Sequence, residues 1–132
     1  MNKPAIDIMS ADLVVVSPDQ KLVDAKKIFQ QKKFHHHIPV VEKGELVGMV
    51  SLSDFLYASE GAGIDDNASA YQNKTIRDAM SISPFGLQKS VTIRQVAEEL
   101  ARNEVHAIVI LDGKKPIGII STTDIIRYML KG

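Results

Sequence analysis

Apolar residues recur at helical spacing in two stretches of the chain. The spacing i, i+3, i+7 places them on one face of a helix. The stretches lie 71 residues apart and consist of Leu22, Ala25 and Phe29, then Ile93, Val96 and Leu100. Thr92 and Gln95 form a capping-box pattern that predicts where the second helix begins. Ser17-Pro18-Asp19 is a weaker start signal for the first helix.

Each predicted helix is followed by two short apolar runs of strand length. The runs cover 38–41 and 46–50 in the first half, then 107–111 and 117–120 in the second. Polar turns that contain glycine separate them at 42–45 and 112–115. Each half therefore predicts the order strand–helix–strand–strand–helix. Strands so continuously apolar are expected to be covered on both faces.

In each half the last predicted strand leads into a repeated seven-residue phrase. It reads Gly48-Met49-Val50-Ser51-Leu52-Ser53-Asp54 and, 70 residues later, Gly118-Ile119-Ile120-Ser121-Thr122-Thr123-Asp124. Both copies place a hydroxyl three residues after the glycine and an aspartate six residues after it. A shorter similarity links 6–10 with 77–81. A repeat that carries hydroxyls and a carboxylate suggests paired binding pockets, and units this small are expected to pack together.

The composition narrows the possible functions. The chain has 132 residues, 45% of them hydrophobic, with 16 basic and 16 acidic residues. This fits a folded domain and gives no reason to expect nucleic-acid binding. The absence of cysteine excludes disulfides, a thiol nucleophile and a zinc-thiolate site. We expect no membrane span, because no apolar run approaches about 20 residues. We expect a cytoplasmic location, because the first residues lack a signal-peptide pattern.

These features together resemble the tandem cystathionine-β-synthase (CBS) domain family, known as the Bateman module. The resemblance rests on Pro18-Asp19 ahead of the first helix, on the run 37–41, and on both Gly-x-x-Ser-x-x-Asp phrases. It implies an α/β (α+β) fold of two βαββα repeats, 1–56 and 76–132. The repeats would pack sheet to sheet about a pseudo-two-fold axis as one module. The segment 57–75, rich in small and polar residues, is interpreted as a linker or surface loop; a lid or partner-contact loop is the alternative.

The resemblance implies a regulatory module that binds an adenosine-containing ligand in clefts between the repeats. AMP, ADP or ATP is expected, with S-adenosylmethionine or a cyclic dinucleotide as further options. A homodimer that signals to an unknown effector protein is implied, with no required cofactor and no nucleic-acid or membrane partner. The alternative is a scaffold that dimerises and binds no ligand. Catalysis is not expected, because the chain has no Gly-x-Ser-x-Gly elbow, Walker loop or Ser–His–Asp grouping.

The repeated phrase supplies the candidates for binding ribose, Asp54 and Asp124. A carboxylate can accept both hydroxyl hydrogens of a ribose diol, and a predicted helix start favours a nearby phosphate. The glycine would let a flat base approach the strand closely. The hydroxyls assigned to ribose or phosphate are Ser51, Ser53, Ser121 and Thr123. Capping of the two helices by the same residues is the alternative, and the two roles can coexist.

Histidines precede the central strand of each half, as His35-His36-His37 and as His106. Because imidazole donates hydrogen bonds to phosphate, His36, His37 and His106 are phosphate candidates. Lys33 and Arg127 are weaker candidates, and packed or solvent-facing imidazoles are the alternative. No metal site is expected, because alternation along a strand sends the three consecutive histidines to different faces.

The slot for the base is assigned by resemblance. It would be lined by Val16, Leu87, Met49 and Ile119. Core packing is the alternative role for each of these apolar residues. Residues 82–92 match the first half poorly, so the two clefts are expected to be unequal.

Overall fold

The chain forms two compact units, each built on a three-stranded sheet. The computed structural model describes residues 1–31, 37–59, 73–82, 86–103 and 105–131. We call Val14–Ser83 the central unit, and Met1–Leu13 together with Pro84–Gly132 the terminal unit. Both units combine strands with helices, which confirms the predicted α/β class. Over the described ranges, no helix is long and apolar enough to cross a bilayer.

The central unit carries an antiparallel sheet in the order β1-β2-β3. Its elements are α1 (Leu22–Phe29), β1 (His37–Glu42), β2 (Glu45–Ser51), α2 (Leu52–Ala58), α3 (Ile76–Ala79) and β3 (Ser81–Ile82). The apolar faces of α1 and α2 share one core with Ile38, Val40 and Val50 of the sheet. In that core Phe29 and Phe55 meet edge to face, with ring centroids 5.2 Å apart.

In the central unit, the strand predicted ahead of α1 is reduced to a single bridge. The Val16 N–H donates to the Pro39 carbonyl (3.1 Å), and the Val16 carbonyl accepts from the Val41 N–H (2.8 Å). Pro18 has no N–H with which to continue the ladder. The chain therefore leaves the sheet and turns into α1 after one pair.

The terminal unit repeats this plan with a fuller first strand. Its elements are β4 (Gly86–Gln88), α4 (Ile93–Asn103), β5 (Ala107–Asp112), β6 (Lys115–Ser121) and α5 (Thr122–Leu130). Strand β4 runs parallel to β5, which pairs antiparallel with β6. Helices α4 and α5 contribute to a core with Ile108, Ile110 and Ile120 of the sheet.

The two helix-start signals had different outcomes. The Thr92–Gln95 capping box is confirmed: the Thr92 N–H donates to Gln95 Oε1 (2.8 Å), and the Gln95 N–H donates to Thr92 Oγ1 (3.1 Å). The first helix instead begins at Leu22, and its N-cap, Lys21, makes no side-chain cap. Ser17-Pro18-Asp19 forms the approach to α1 rather than its cap.

Each unit is completed by a segment from the other half of the sequence. In the central unit, the Leu22 N–H at the start of α1 donates to the Lys74 carbonyl (2.8 Å). In the terminal unit, the Ile93 N–H at the start of α4 donates to the Lys3 carbonyl (2.9 Å). The compact units therefore cut across the predicted repeats, whose sequence boundaries stay a prediction.

The same two segments also add an edge to each sheet. In the central unit β3 pairs with β2, so that Ser81 lies opposite Met49. In the terminal unit Ser10 bridges to Ile119 of β6, antiparallel and on the equivalent side. The similarity between 6–10 and 77–81 thus corresponds to a shared structural role.

Candidate functional site

The repeated phrase forms a capping box at the start of α2 in the central unit. Ser51 ends β2 and is the N-cap, and Asp54 is the third residue of the helix. The Asp54 N–H donates to Ser51 Oγ (3.0 Å), while the Ser51 N–H donates to Asp54 Oδ2 (3.2 Å). These reciprocal bonds satisfy two backbone donors that the helix itself leaves unpaired.

The terminal unit has the same arrangement at the start of α5. The Ser121 N–H donates to Asp124 Oδ2 (2.8 Å), and the Asp124 N–H donates to Ser121 Oγ (3.2 Å). Both aspartates are half-buried. Since Oδ2 is engaged in each, Oδ1 is the carboxylate oxygen that no described residue bonds. The capping role proposed as an alternative is therefore present in both copies.

The start of α5 has little capacity left for an anion. The Thr122 N–H donates to the His106 carbonyl (3.0 Å), and the Asp124 N–H donates to Ser121 Oγ. Of the first three helical N–H groups, this leaves only that of Thr123 without a bond to another described residue. The Asp124 carboxylate already places negative charge where the helix dipole favours it. The geometry suits a neutral diol better than a phosphate at this position.

The hydroxyls of the phrase divide into two kinds. Ser51 and Ser121 use their Oγ atoms as caps, whereas Ser53 and Thr123 lie at the second helical position and are exposed. A capping serine can still donate its hydroxyl hydrogen to a ligand, because its Oγ only accepts in the cap. All four stay candidates for binding ribose or phosphate.

The glycine of each phrase packs against a methionine side chain. A Cβ atom at Gly118 would collide with the Sδ of Met9 and would lie 2.7 Å from its Cγ. A Cβ atom at Gly48 would lie 2.8 Å from Met80 Sδ and 2.9 Å from the Ser81 carbonyl oxygen. The glycine thus makes room for a methionine of the edge segment. The predicted close approach of a base at the glycine stays a prediction.

The sequence reasoning gave no role to Met9, Ser10, Met80 and Ser81. A signal was present, because the resemblance between 6–10 and 77–81 includes both Met-Ser pairs. The similarity alone did not indicate that each pair packs on the strand of the other half. Only the backbone pairing of Ser10 with Ile119 and of Ser81 with Met49 shows this.

The base-slot candidates lie in or beside the sheets. Val16 is 3% exposed and belongs to the core of the central unit, and Leu87 packs against the core of the terminal unit. Met49 is 8% exposed, and its carbonyl accepts from Ser81 Oγ (3.2 Å). The backbone of Ile119 is also occupied, because its N–H donates to the Ser10 carbonyl (3.0 Å) and its carbonyl accepts from the Ser10 N–H (2.9 Å). Core packing is observed for Val16 and Leu87, while a base-slot role for all four stays a prediction.

The histidine candidates are only partly covered by the structure. His37 opens β1 and lies opposite Ser51 in the strand register, next to the capping box. His106 is exposed, and its carbonyl anchors the start of α5 through the Thr122 N–H. His35, His36 and Lys33 lie outside the described residues, and Arg127 is exposed on α5. Within the described ranges, no three possible metal ligands lie together.

Comparison with known proteins identifies the family. The sequence model of the CBS domain matches residues 5–61 and 76–131, one match in each half of the chain. The chain belongs to the CBS domain family. CBS domain pairs are generally regulatory modules, and this pair has the two-fold repetition of sheets and capped helices described above.

The chain is similar to CBS domains in proteins of different kinds. A zinc metalloprotease of Methanocaldococcus jannaschii is 30% identical over 97% of this chain, which spans 32% of that relative. The structure of CBSX2 in complex with AMP is 25% identical, with a TM-score of 0.83 and coverage of 98% of this chain and 97% of that one. A CBS domain pair in complex with 5′-methylthioadenosine and S-adenosyl-L-methionine is 21% identical and matches in fold, with a TM-score of 0.81 and coverage of 99% and 98%.

Proposed function

We propose that this CBS pair is a regulatory sensor that binds an adenosine-containing ligand through the two repeated phrases. The observation that carries the proposal is the pair of half-buried carboxylates, Asp54 and Asp124, each held at a helix start through Oδ2. In each phrase the other carboxylate oxygen, Oδ1, is not bonded by any residue that the structure describes. The similarity to CBSX2, which binds AMP, supports an adenosine ligand for this chain.

The ribose is the part of the ligand that these carboxylates suit best. A carboxylate accepts hydrogen bonds from hydroxyls, and the capping box holds it in place so that little side-chain freedom is lost on binding. The occupied N–H groups at the start of α5 disfavour a phosphate there. We therefore assign Asp54 and Asp124 to ribose hydroxyls, with Ser53 and Thr123 as neighbouring hydroxyl contacts.

The phosphate and the base are assigned to residues that flank the phrase. His37 lies opposite Ser51 on the neighbouring strand, and it carries a side chain that can donate to an anion. His106 and His36 have the same role by their place ahead of the central strands. The base would lie against the apolar candidates Val16, Leu87, Met49 and Ile119. AMP, ADP or ATP is the first choice of ligand; S-adenosylmethionine and a cyclic dinucleotide share the nucleoside.

The proposed output is a change in how the module associates rather than a chemical reaction. Helix α5 exposes an apolar group at helical spacing: Ile126 is 50% exposed, Met129 62% and Leu130 81%. Exposed apolar surface of this kind favours association, and we propose a homodimer that passes the ligand signal to an effector protein. No catalytic role is assigned to any residue of the phrase.

A ligand-free scaffold is the second candidate, and one observation favours it. The capping boxes explain Ser51, Asp54, Ser121 and Asp124 without any ligand, since each contributes to helix stability. In that case the CBS pair would bind no ligand and would serve only for dimerisation. The two functions differ in a measurable property, which is stabilisation of the fold by an adenosine compound.

The test combines native mass spectrometry with calorimetry. Native mass spectra of freshly purified protein report a co-purified ligand and the oligomeric state together. Titration calorimetry then measures binding of AMP, ATP and S-adenosylmethionine to the wild type and to Asp54→Asn and Asp124→Asn. Asparagine keeps an oxygen for the cap but removes the charge, so we expect binding at the altered site to weaken about 10- to 100-fold.

Asp78→Asn is the matched control. Asp78 makes the same kind of cap, accepting from the Thr75 N–H (2.9 Å), but lies outside the repeated phrase. Its substitution should leave binding unchanged. Equal binding by wild type, Asp54→Asn and Asp124→Asn would overturn the ribose assignment. Failure of every adenosine compound to bind or stabilise the wild type would favour the scaffold instead.

A further inference from the structure

We propose that Met9 and Met80 form two peroxide-sensitive latches that hold the edge segments on the sheets. Each thioether lies directly on a glycine of the repeated phrase. The space that a Cβ at Gly118 would need is filled by Met9 Sδ, and a Cβ at Gly48 would lie 2.8 Å from Met80 Sδ. The contact therefore depends on the small, apolar form of the sulfur.

Each latch lies beside the few backbone bonds that join the end of its segment to β6 or β2. Met9 precedes Ser10, whose N–H and carbonyl pair with Ile119 at 2.9 and 3.0 Å. Met80 precedes the two-residue strand β3, where Ser81 Oγ donates to the Met49 carbonyl (3.2 Å). Because one or two residue pairs form a weak edge, side-chain packing on the glycine is needed to keep each segment in place.

The two latch sulfurs are placed where an oxidant can reach them. Met9 and Met80 are only partly buried and pack on the outside of the two cores. Two other methionines are more buried or more exposed than these: Met49 is 8% exposed and Met129 is 62% exposed. We expect Met129 to react first, the latch methionines next and Met49 last.

The chemistry requires only a peroxide. A sulfur lone pair attacks one peroxide oxygen, the O–O bond breaks, and that oxygen stays on sulfur as a sulfoxide. The sulfur loses two electrons, and the proton of the transferred oxygen passes to the remaining peroxide oxygen, which leaves as water, or as an alcohol from an organic peroxide. Methionine sulfoxide is polar and larger than the thioether, which disrupts apolar packing.

A sulfoxide cannot occupy the same position on the glycine. The added oxygen needs room beside a sulfur that already fills the available space, and it loses solvation if it stays there. The edge segment would therefore detach from β6 or β2. The effect should be larger at Met9, because a single bridge to β6 follows it, whereas two residue pairs and a side-chain bond to β2 follow Met80.

The experiment is graded oxidation of the whole chain with hydrogen peroxide, followed by peptide mass spectrometry and amide hydrogen exchange. Oxidation of Met9 should speed exchange of the Ile119 N–H, which donates to Ser10, by about tenfold or more. Oxidation of Met80 should speed exchange of Ser81–Ile82 by a smaller factor. Protein oxidised only at Met129 should match the untreated protein in the exchange of Ile119 and of Ser81–Ile82.

Two controls separate the latches from general damage. Protein made with norleucine in place of methionine keeps the apolar shape without sulfur, so peroxide should leave its exchange unchanged. Met129→Leu removes the most exposed methionine and should leave the latch response intact.

The proposal is overturned if Met9 and Met80 oxidise only when the whole protein unfolds. It is equally overturned if they oxidise in the folded protein and neither edge segment exchanges faster. None of these readouts needs a nucleotide, so the proposed ligand function stands or falls separately.

Discussion

The two units share a plan, but the same glycine of the repeated phrase packs against different groups in each. In the terminal unit, the three atoms nearest to a Cβ at Gly118 all belong to the side chain of Met9. In the central unit, a Cβ at Gly48 would meet both Met80 and the backbone carbonyl oxygen of Ser81. A flexible side chain can move aside, whereas a paired backbone cannot. Identical residues in a repeat can therefore tolerate change to different degrees.

The first strands show a second difference, and one residue explains it. In the terminal unit, the Lys89 N–H donates to the Leu111 carbonyl (2.9 Å), which extends β4 along β5. Pro18 stands at the equivalent place in the central unit and has no N–H to donate. The pairing there stops at Val16. A single proline is thus enough to turn a strand into a bridge.

The largest expected difference between the units lies in their cores. Phe55→Ala should lower the free energy of unfolding by about 3–5 kcal/mol, because Phe55 is fully buried against Phe29. Ile125→Ala, at the equivalent place on α5, should cost less, about 2–3 kcal/mol. Urea unfolding measures both. The exposed neighbour Leu56 provides a control, since Leu56→Ala should change stability by less than about 0.5 kcal/mol. A larger loss at Ile125 would contradict the comparison.

The second prediction concerns the two glycines directly. Gly48→Ala and Gly118→Ala should each destabilise by about 1–3 kcal/mol through overpacking. Met9→Ala should relieve most of the effect at Gly118, because only its side chain is in the way. Met80→Ala should relieve less at Gly48, because the Ser81 carbonyl remains 2.9 Å from the new methyl group. Double-mutant cycles measure the coupling energy between Gly118 and Met9 and that between Gly48 and Met80. Equal coupling energies would contradict the proposed difference between the two glycines.

The capping boxes should instead behave alike in the two units. Ser51→Ala and Ser121→Ala each remove a cap of the same geometry and should each cost about 1 kcal/mol. Thermal or urea unfolding provides the measurement. Ser53→Ala and Thr123→Ala are matched controls, because these exposed hydroxyls take no part in the caps. If the control variants lost as much free energy of unfolding as the cap variants, the capping bonds would not be the cause of the loss.

The smallest expected effects lie at the hairpin tips and should have opposite signs. Lys43 has a φ of 52° and is followed by Gly44, whereas at the second tip the positive φ falls on Gly113. Lys43→Gly should therefore stabilise by about 0.5 kcal/mol, because it relieves a left-handed lysine. Lys114→Gly should destabilise by about 0.5–1 kcal/mol. Lys114 has no left-handed backbone to relieve, so the glycine only increases the conformational entropy that the chain loses on folding. Melting temperatures of the two variants that shift in the same direction would contradict this contrast.

Much of the local structure was predictable because it depends on neighbours in the chain. The period of Leu22, Ala25 and Phe29 indicated the buried face of α1, and the Thr92–Gln95 pattern indicated the start of α4. The candidate site was predictable in part, since the capping role of Asp54 follows from its spacing to Ser51. The family was also predictable, and the match of the CBS domain to both halves confirms it.

The remaining features depend on contacts between distant residues. The packing of Met80 against Gly48 and of Met9 against Gly118 is one of them, because no local pattern around either glycine indicates it. The strand predicted before α1 was shortened by Pro18. His36, one of the phosphate candidates, lies outside the described residues, so its role stays a prediction.

The sequence by itself determined the two-fold repetition, the helix faces, the hairpins and the identity of the capped carboxylates. These follow from periodicity, turn chemistry and spacings of three or four residues, which act locally along the chain. Only the tertiary structure decided which segment completes which unit, and what covers each glycine. Those outcomes depend on pairing across more than 30 residues, as between Met49 and Ser81, or more than 100, as between Ser10 and Ile119. A local pattern cannot encode such a choice, because the edge of either sheet offers the same backbone groups to either segment.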